Sequence, residues 1–375
     1  MKNIHKCFLV VKLIGTVVSL TLLSSCSQVF VSGSQKFEYY PQNIILFIGD
    51  GMGVSQVTAV KTVKGMSELE KFSQSGLITT WADTNYITDS AAAGTALATG
   101  FKTNNRAISV SPNQEPLKTV LEYAEEEGKY TGLITTKSIT DATPASFVAH
   151  VDNRNNQTEI AEHLAHSGVE VAIGGGFSYF IPSSEEGSRR SDENDLIAEI
   201  EKTHIVIRNP EELLELSDTE GVFGLFAMQA LPRAIDRNLS LGEMTEKALR
   251  ILSNNKEGFF LMVEGAQIDA AGHDNDYEYL IQELIEFDDA VGVGLEFAEN
   301  NKNTLVIVTA DHETGGFAVA GGSVRKRIID KPLFASRDHT AAMVPLFAYG
   351  PQSTLFGGIH DNTYVGQTLI ELVKR

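Results

Sequence analysis

The sequence predicts an α/β fold, a three-layer α/β/α sandwich around a large, mostly parallel central sheet. Three observations carry this. Apolar runs of strand length are continuous rather than alternating, as in strands covered on both faces. Helical patterns lie between them, and strand and helix alternate along the chain. Several runs end in turns bearing glycine or carboxylates, where a parallel sheet presents its carboxyl edge to a ligand.

The elements follow in order. Lys2, His5 and Lys6 give a basic start, Phe8 to Leu23 is apolar apart from Lys12, and Leu23-Ser24-Ser25-Cys26 puts small residues before a cysteine. Residues 1–25 therefore resemble a bacterial lipoprotein signal, with export, cleavage before Cys26 and lipid attachment to it. Residues 26–41 read as a tether, and 42–375 as a single domain. Its first strand is Asn43 to Ile48, ending in Gly49-Asp50-Gly51-Met52-Gly53. Further strands are expected at 132–134, 169–173, 259–263 and 305–308. Leu117, Val120, Leu121 and Ala124 predict a helix with Gly128 as its stop, and 280–291 predicts another. Residues 183–220 and 313–338 read as small peripheral insertions. Trp81 and the many phenylalanines are expected in the core.

Composition bounds the function. The chain has 375 residues, 42% of them hydrophobic and 21% charged, which suits one large globular domain. Loss of the three lysines in 1–25 takes the net charge from −19 to −22. Such a body repels nucleic acid, and a phosphate-processing role needs local positive charge from metal ions or an arginine. Cys7 leaves with the signal and Cys26 takes lipid, so no thiolate remains for zinc or for a disulfide.

The metal-ligating residue types nevertheless cluster. Phe259–Val263 leads into Glu264, with Asp269 and His273 close behind; Leu305–Thr309 leads into Asp311-His312; and His339 lies just before Val344–Phe347. Three imidazoles and three carboxylates, gathered from strand ends far apart in the chain, suit a catalytic divalent metal such as zinc. Asp50 ends the first strand in a turn where an acid meets a ligand, although Asp-Gly is also a common turn. Ser90 opens the small-residue run Thr88 to Gly100, near a helix N-terminus whose free amides favour an alkoxide or phosphate. A plain N-cap there is the alternative. Asp141 and Thr143 offer hard oxygens, and Arg154 offers a fork suited to a phosphoryl group.

Taken together these segments resemble the bacterial alkaline phosphatases over roughly residues 41–375. The segments are Asp50 in its turn; Thr88-Asp89-Ser90-Ala91; Asp141 to Ala145 through His150 to Arg154; Val263 to Asp269 with His273; Thr309 to Gly316; and His339-Thr340. The resemblance implies an alkaline-phosphatase-like fold holding two Zn2+ and one Mg2+. Asp269, His273 and His339 would hold the first zinc, and Asp50, Asp311 and His312 the second. Asp50, Thr143 and Glu264 would hold magnesium, with Asp141 in its inner or outer shell. Ser90 would be the nucleophile, passing through a phosphoserine, and Arg154 would grip the phosphate. The substrates would be small phosphate monoesters and the optimum alkaline. Relatives are often homodimers.

Two positions depart from some relatives. Asp141 stands where they carry histidine, which argues for magnesium. Ala270 stands where they carry a lysine or an aromatic residue, which predicts a less tightly gripped phosphate. The short stretch between His312 and His339 predicts an open cleft. His163, His166, His204 and His360 read as surface or loop residues, His150 as structural, and Gly174-Gly175-Gly176 as a turn. Glu264 and Thr143 argue against a phosphodiesterase, the alternative on this fold. No Cys-x-Pro-x-Arg marks a sulfatase. A binding protein without turnover would not need the nucleophile.

Overall fold

The computed structural model describes residues 39–218 and 221–375; Cys26 and the signal-like segment lie outside them. A ten-stranded sheet forms the centre, in the order β14-β2-β13-β8-β1-β7-β3-β4-β6-β5. The strands are β1 (Asn43–Gly49), β2 (Gln74–Thr79), β3 (Tyr130–Ser138), β4 (Val171–Gly175), β5 (Ile205–Ile207), β6 (Val222–Leu225), β7 (Phe259–Gly265), β8 (Thr304–Thr309), β13 (Val344–Tyr349) and β14 (Gly358–Asp361). β13 runs antiparallel to both β8 and β2, and every other pairing is parallel. The four remaining strands, β9 (Glu313–Thr314), β10 (Ala318–Ser323), β11 (Ile328–Leu333) and β12 (His339–Thr340), form two small separate pairs.

β1, β7 and β8 are buried along their whole length, which explains their unbroken apolar runs. Register sets the functional edge. Ile48 stands opposite Glu264 on one side and Thr309 on the other, and Glu264 stands opposite Thr135. The residues just past β1, β8, β7 and β3 therefore emerge side by side.

Two details differ from the sequence reading, the start of one helix and the place of Trp81. The helix expected from Leu117 is Val120–Glu126. Thr119 caps it in a capping box with Glu122, while the Leu117 N–H bonds instead to Ser109 O at 2.8 Å. Gly128 follows at φ +73°, a left-handed turn that glycine adopts without strain. The small-residue helix Ser90–Thr99 packs chiefly on other helices rather than on the sheet. A Cβ on Gly94 would meet Ser146 Oγ at 2.8 Å, and one on Gly366 would meet Ala96 O at 2.4 Å. Trp81, expected in the core, is 43% exposed beyond the end of β2, with the Lys102 ammonium 4.4 Å from its ring centroid.

The segment 183–220 carries two short helices and β5, the edge strand of the main sheet. The segment 313–338 carries β9 and the β10–β11 hairpin, and β12 then returns to pair with β9, His339 facing Thr314.

Candidate metal centre and nucleophile

Asp50 leaves β1 into a turn in which Gly51 has φ +77°, and Gly51 and His312 both donate backbone N–H groups to Asp311 Oδ1, at 3.1 and 2.9 Å. Asp311 Oδ2 is left buried with no hydrogen-bond donor, and so is Asp50 Oδ1. Both face His312 Nε2, at 3.2 and 3.5 Å. The opposite ring nitrogen, His312 Nδ1, lies 3.2 Å from Thr314 Oγ1, whose proton goes to Asp269 Oδ1 at 2.6 Å. The hydroxyl can thus only accept from His312, so Nδ1 carries the proton and Nε2 presents a lone pair. Burial pushes this imidazole down to about 4 and keeps it neutral. A lone pair ringed by unpaired buried carboxylate oxygens is a cation site. Asp50, Asp311 and His312 fit a divalent metal.

A second set adjoins it. His273 Nδ1 donates to Arg337 O, and His339 Nδ1 donates to Thr88 O at 2.9 Å. Backbone carbonyls only accept, so both Nε2 atoms are free to ligate, held as outer-shell partners hold metal-binding histidines. The two Nε2 atoms stand 3.2 Å apart, and Asp269 Oδ1 lies 3.2 Å from the first and 3.5 Å from the second. Asp269 pushes His273 up to about 9, which marks this corner as one that attracts positive charge. Asp269, His312 and His339 also form a compact group, because the His312 and His339 rings stack with centroids 3.5 Å apart. The His273 nitrogen is equally close to Asp269 and His339, so all four residues share one corner.

The nucleophile candidate sits between. Asp89 caps the helix Ser90–Thr99 by accepting from Ala92 N at 3.0 Å, so Ser90 is its first residue, 3% exposed. Ser90 Oγ lies 3.3 Å from His312 Nε2. Arg154 reaches the same helix end, donating to Asp89 Oδ2 at 3.3 Å and Asp141 Oδ1 at 3.1 Å. Burial works against the Asp141 carboxylate, but Lys137 and Arg154 outweigh it and hold the group below its usual range. Glu264 accepts from Thr135 and Thr143, and burial raises it to about 7. The candidate residues thus gather at one edge, except that Asp141 turns its oxygen to Arg154 and to its own helix start, where Ala142 N donates at 2.8 Å.

Three contributors are absent from the sequence-based ligand set. Thr314 orients Asp269. Buried Gln56 donates to Glu313 Oε1 at 2.9 Å and Thr314 O at 3.1 Å, bracing the strand that carries both. Lys137 stands between Asp50 and Asp269. β3 is irregular between Ile134 and Ser138, so strand alternation does not mark Lys137 in the sequence. His163, His166, His204 and His360 lie outside the centre. His150 bonds to Ser109 O at 2.8 Å and Glu122 at 3.2 Å, and Gly176 makes its turn at φ +96°.

The family model described as alkaline phosphatase matches residues 41–331. Alkaline phosphatase 4 of Bacillus subtilis (strain 168) is 34% identical, with 89% of each chain covered. The alkaline phosphatase of the Antarctic bacterium TAB5 superposes with a TM-score of 0.83 at 37% identity, covering 90% of this chain and 99% of that one. A histidine-to-aspartate variant of the TAB5 enzyme, described with Mg bound in its M3 site, matches at a TM-score of 0.82 and 36% identity, with the same coverage. The chain is a metal-dependent hydrolase of phosphate monoesters and belongs to the alkaline phosphatase family.

Proposed function

We propose that Ser90 carries the phosphoryl group as a phosphoserine, on a centre of two zinc ions and one magnesium ion. The observation that carries this is Ser90 Oγ, at a helix N-terminus, 3.3 Å from a neutral imidazole nitrogen that two unpaired carboxylate oxygens surround. Asp269, His273 and His339 would hold the first zinc, and Asp50, Asp311 and His312 the second. Asp50, Thr143 and Glu264 would hold the magnesium. Asp141 would stand in its inner or outer shell, with Arg154 and Ala142 N bonded to its Oδ1. The magnesium-bound aspartate variant of the TAB5 enzyme supports an aspartate in such a site. Bound there, the cations supply Lewis acidity to the entering and leaving oxygens.

This chain's residues do the rest. Arg154, held by Asp89 and Asp141, offers a rigid fork to two non-bridging phosphate oxygens. The helix N-terminus beneath Ser90 favours the negative charge that gathers there. Ser90 Oγ gives up its proton, which ends on the departing oxygen, and attacks phosphorus; the bond to the substrate's ester oxygen breaks, and an alcohol leaves. Water then cleaves the phosphoserine, returning the Ser90 hydroxyl and inorganic phosphate.

Hydrolysis of p-nitrophenyl phosphate against bis-p-nitrophenyl phosphate at pH about 9 tests this reading, before and after chelation and with each metal restored. Monoester turnover that stops with chelator and needs both metals supports it. A preference for the diester would overturn it.

The lipobox-like Leu23-Ser24-Ser25-Cys26 supports export as a periplasmic or outer-membrane lipoprotein held through lipid on Cys26. Ser27, after the cysteine, favours the outer membrane. Fatty-acid labelling of the expressed chain and of Cys26→Ser checks this, and label kept by the variant refutes it. A homodimer, as in many relatives, is checked by sedimentation.

A further inference from the structure

Lys137 is a charged residue at the centre that the ligand set leaves unused. It follows Thr135 by two positions near the end of β3, and its side chain reaches the carboxylates of the centre. Its Nζ stands 3.5 Å from Asp269 Oδ2 and 3.6 Å from Asp50 Oδ2, and its side chain is 20% exposed. Those two carboxylates belong to different zinc sites of the proposed centre. The ammonium therefore lies between the sites.

An ammonium has three donors, and carboxylates committed to metals leave some of them free. The nucleophile is one carboxylate away. Asp50 Oδ1 lies 3.5 Å from His312 Nε2, which is 3.3 Å from Ser90 Oγ, while Asp50 Oδ2 faces Lys137. Arg154 approaches from the helix side, fastened by Asp89 and Asp141. Ala270, beside Asp269, has no polar side-chain atom to offer an anion.

We propose that Lys137 is a second phosphate-contacting catalytic residue, donating to a phosphoryl oxygen on the side of the anion away from Arg154. This rests on the reaction proposed above. It also replaces the expectation from Ala270 of a loosely held phosphate, since the cation comes from β3 and not from the helix that carries Ala270.

Calorimetric binding of inorganic phosphate to the metal-loaded protein tests this in the parent, Lys137→Met and Lys137→Arg, with zinc and magnesium content measured on the same samples. Loss of one charge-assisted hydrogen bond should weaken phosphate binding in Lys137→Met about tenfold or more. KM should rise in parallel at equal metal content, and Lys137→Arg should recover most of the loss. Unchanged phosphate affinity in Lys137→Met at full metal content overturns the proposal. So does a fall in metal content with unchanged affinity per loaded site, because Lys137 would then only position Asp50 and Asp269. Phosphate binding is read without turnover, so failure of the proposed reaction, seen as a parent that binds phosphate but hydrolyses no monoester, stays distinguishable.

Discussion

Replacing Thr314 with valine should weaken the zinc binding proposed for Asp269 and its neighbour His312 without changing the shape of the centre. Thr314 Oγ1 is buried, donates to Asp269 Oδ1 at 2.6 Å and accepts from His312 Nδ1 at 3.2 Å. Valine keeps the volume and the β-branch, which suits β9, and removes only the hydroxyl. The oxygen that loses its donor is the one within 3.2 Å of His273 Nε2 and 3.5 Å of His339 Nε2. One hydrogen bond to a charged group is worth about 1.5–3 kcal/mol. That magnitude agrees with the roughly 10–100-fold loss of metal affinity typical when an outer-shell partner is removed. Competition with a chromophoric chelator measures the zinc dissociation constant directly, and turnover at saturating zinc then separates affinity from chemistry. Thr314→Val should lose zinc about 10–100-fold more readily and regain most of its activity when zinc is in excess. An unchanged zinc constant would refute the claim that Thr314 orients Asp269.

Three other changes follow from the same geometry. Arg154→Lys keeps the charge but loses the planar fork and its anchors at 3.3 and 3.1 Å, so kcat/KM for p-nitrophenyl phosphate should fall about 10–100-fold. Gly94→Val puts side-chain atoms against Ser146, whose Oγ and Cβ would lie 2.8 and 3.1 Å from the new Cβ and whose hydroxyl is bonded to Ala142 O at 2.7 Å. The resulting overpacking should cost about 1–3 kcal/mol, lower the thermal midpoint and, because Ser90 opens that helix, lower kcat as well. Glu170 is raised to about 7 by burial. Its contribution to stability is therefore full below its unfolded value near 4.5 and is lost as pH rises through 7. Glu170→Gln, which can still accept from Thr131 N, should match the parent's thermal midpoint at pH about 4 and exceed it above pH about 7, at constant metal. An equal difference at both pH values would contradict this.

The fold class and the grouping of most candidate residues were legible in the sequence. Continuous apolar runs at Asn43–Gly49, Phe259–Gly265 and Thr304–Thr309 mark strands buried on both faces, and each ends beside a ligand type. Local chemistry likewise marks Ser90 as a helix start, since Asp89 and a small-residue run need no distant partner to act. Tertiary structure decided what depends on contacts between distant segments. Thr314 and Gln56 matter only because β9 returns beside Asp269, and His339 reaches the centre only because β12 pairs with β9. Trp81 lies outside the core because its strand ends before it, which hydrophobicity does not encode. Lys137 shows the same limit. Its charge is plain in the sequence, but the strand order β1-β7-β3 is what brings its ammonium between Asp50 and Asp269, residues more than two hundred positions apart, and strand order is a property of the folded sheet.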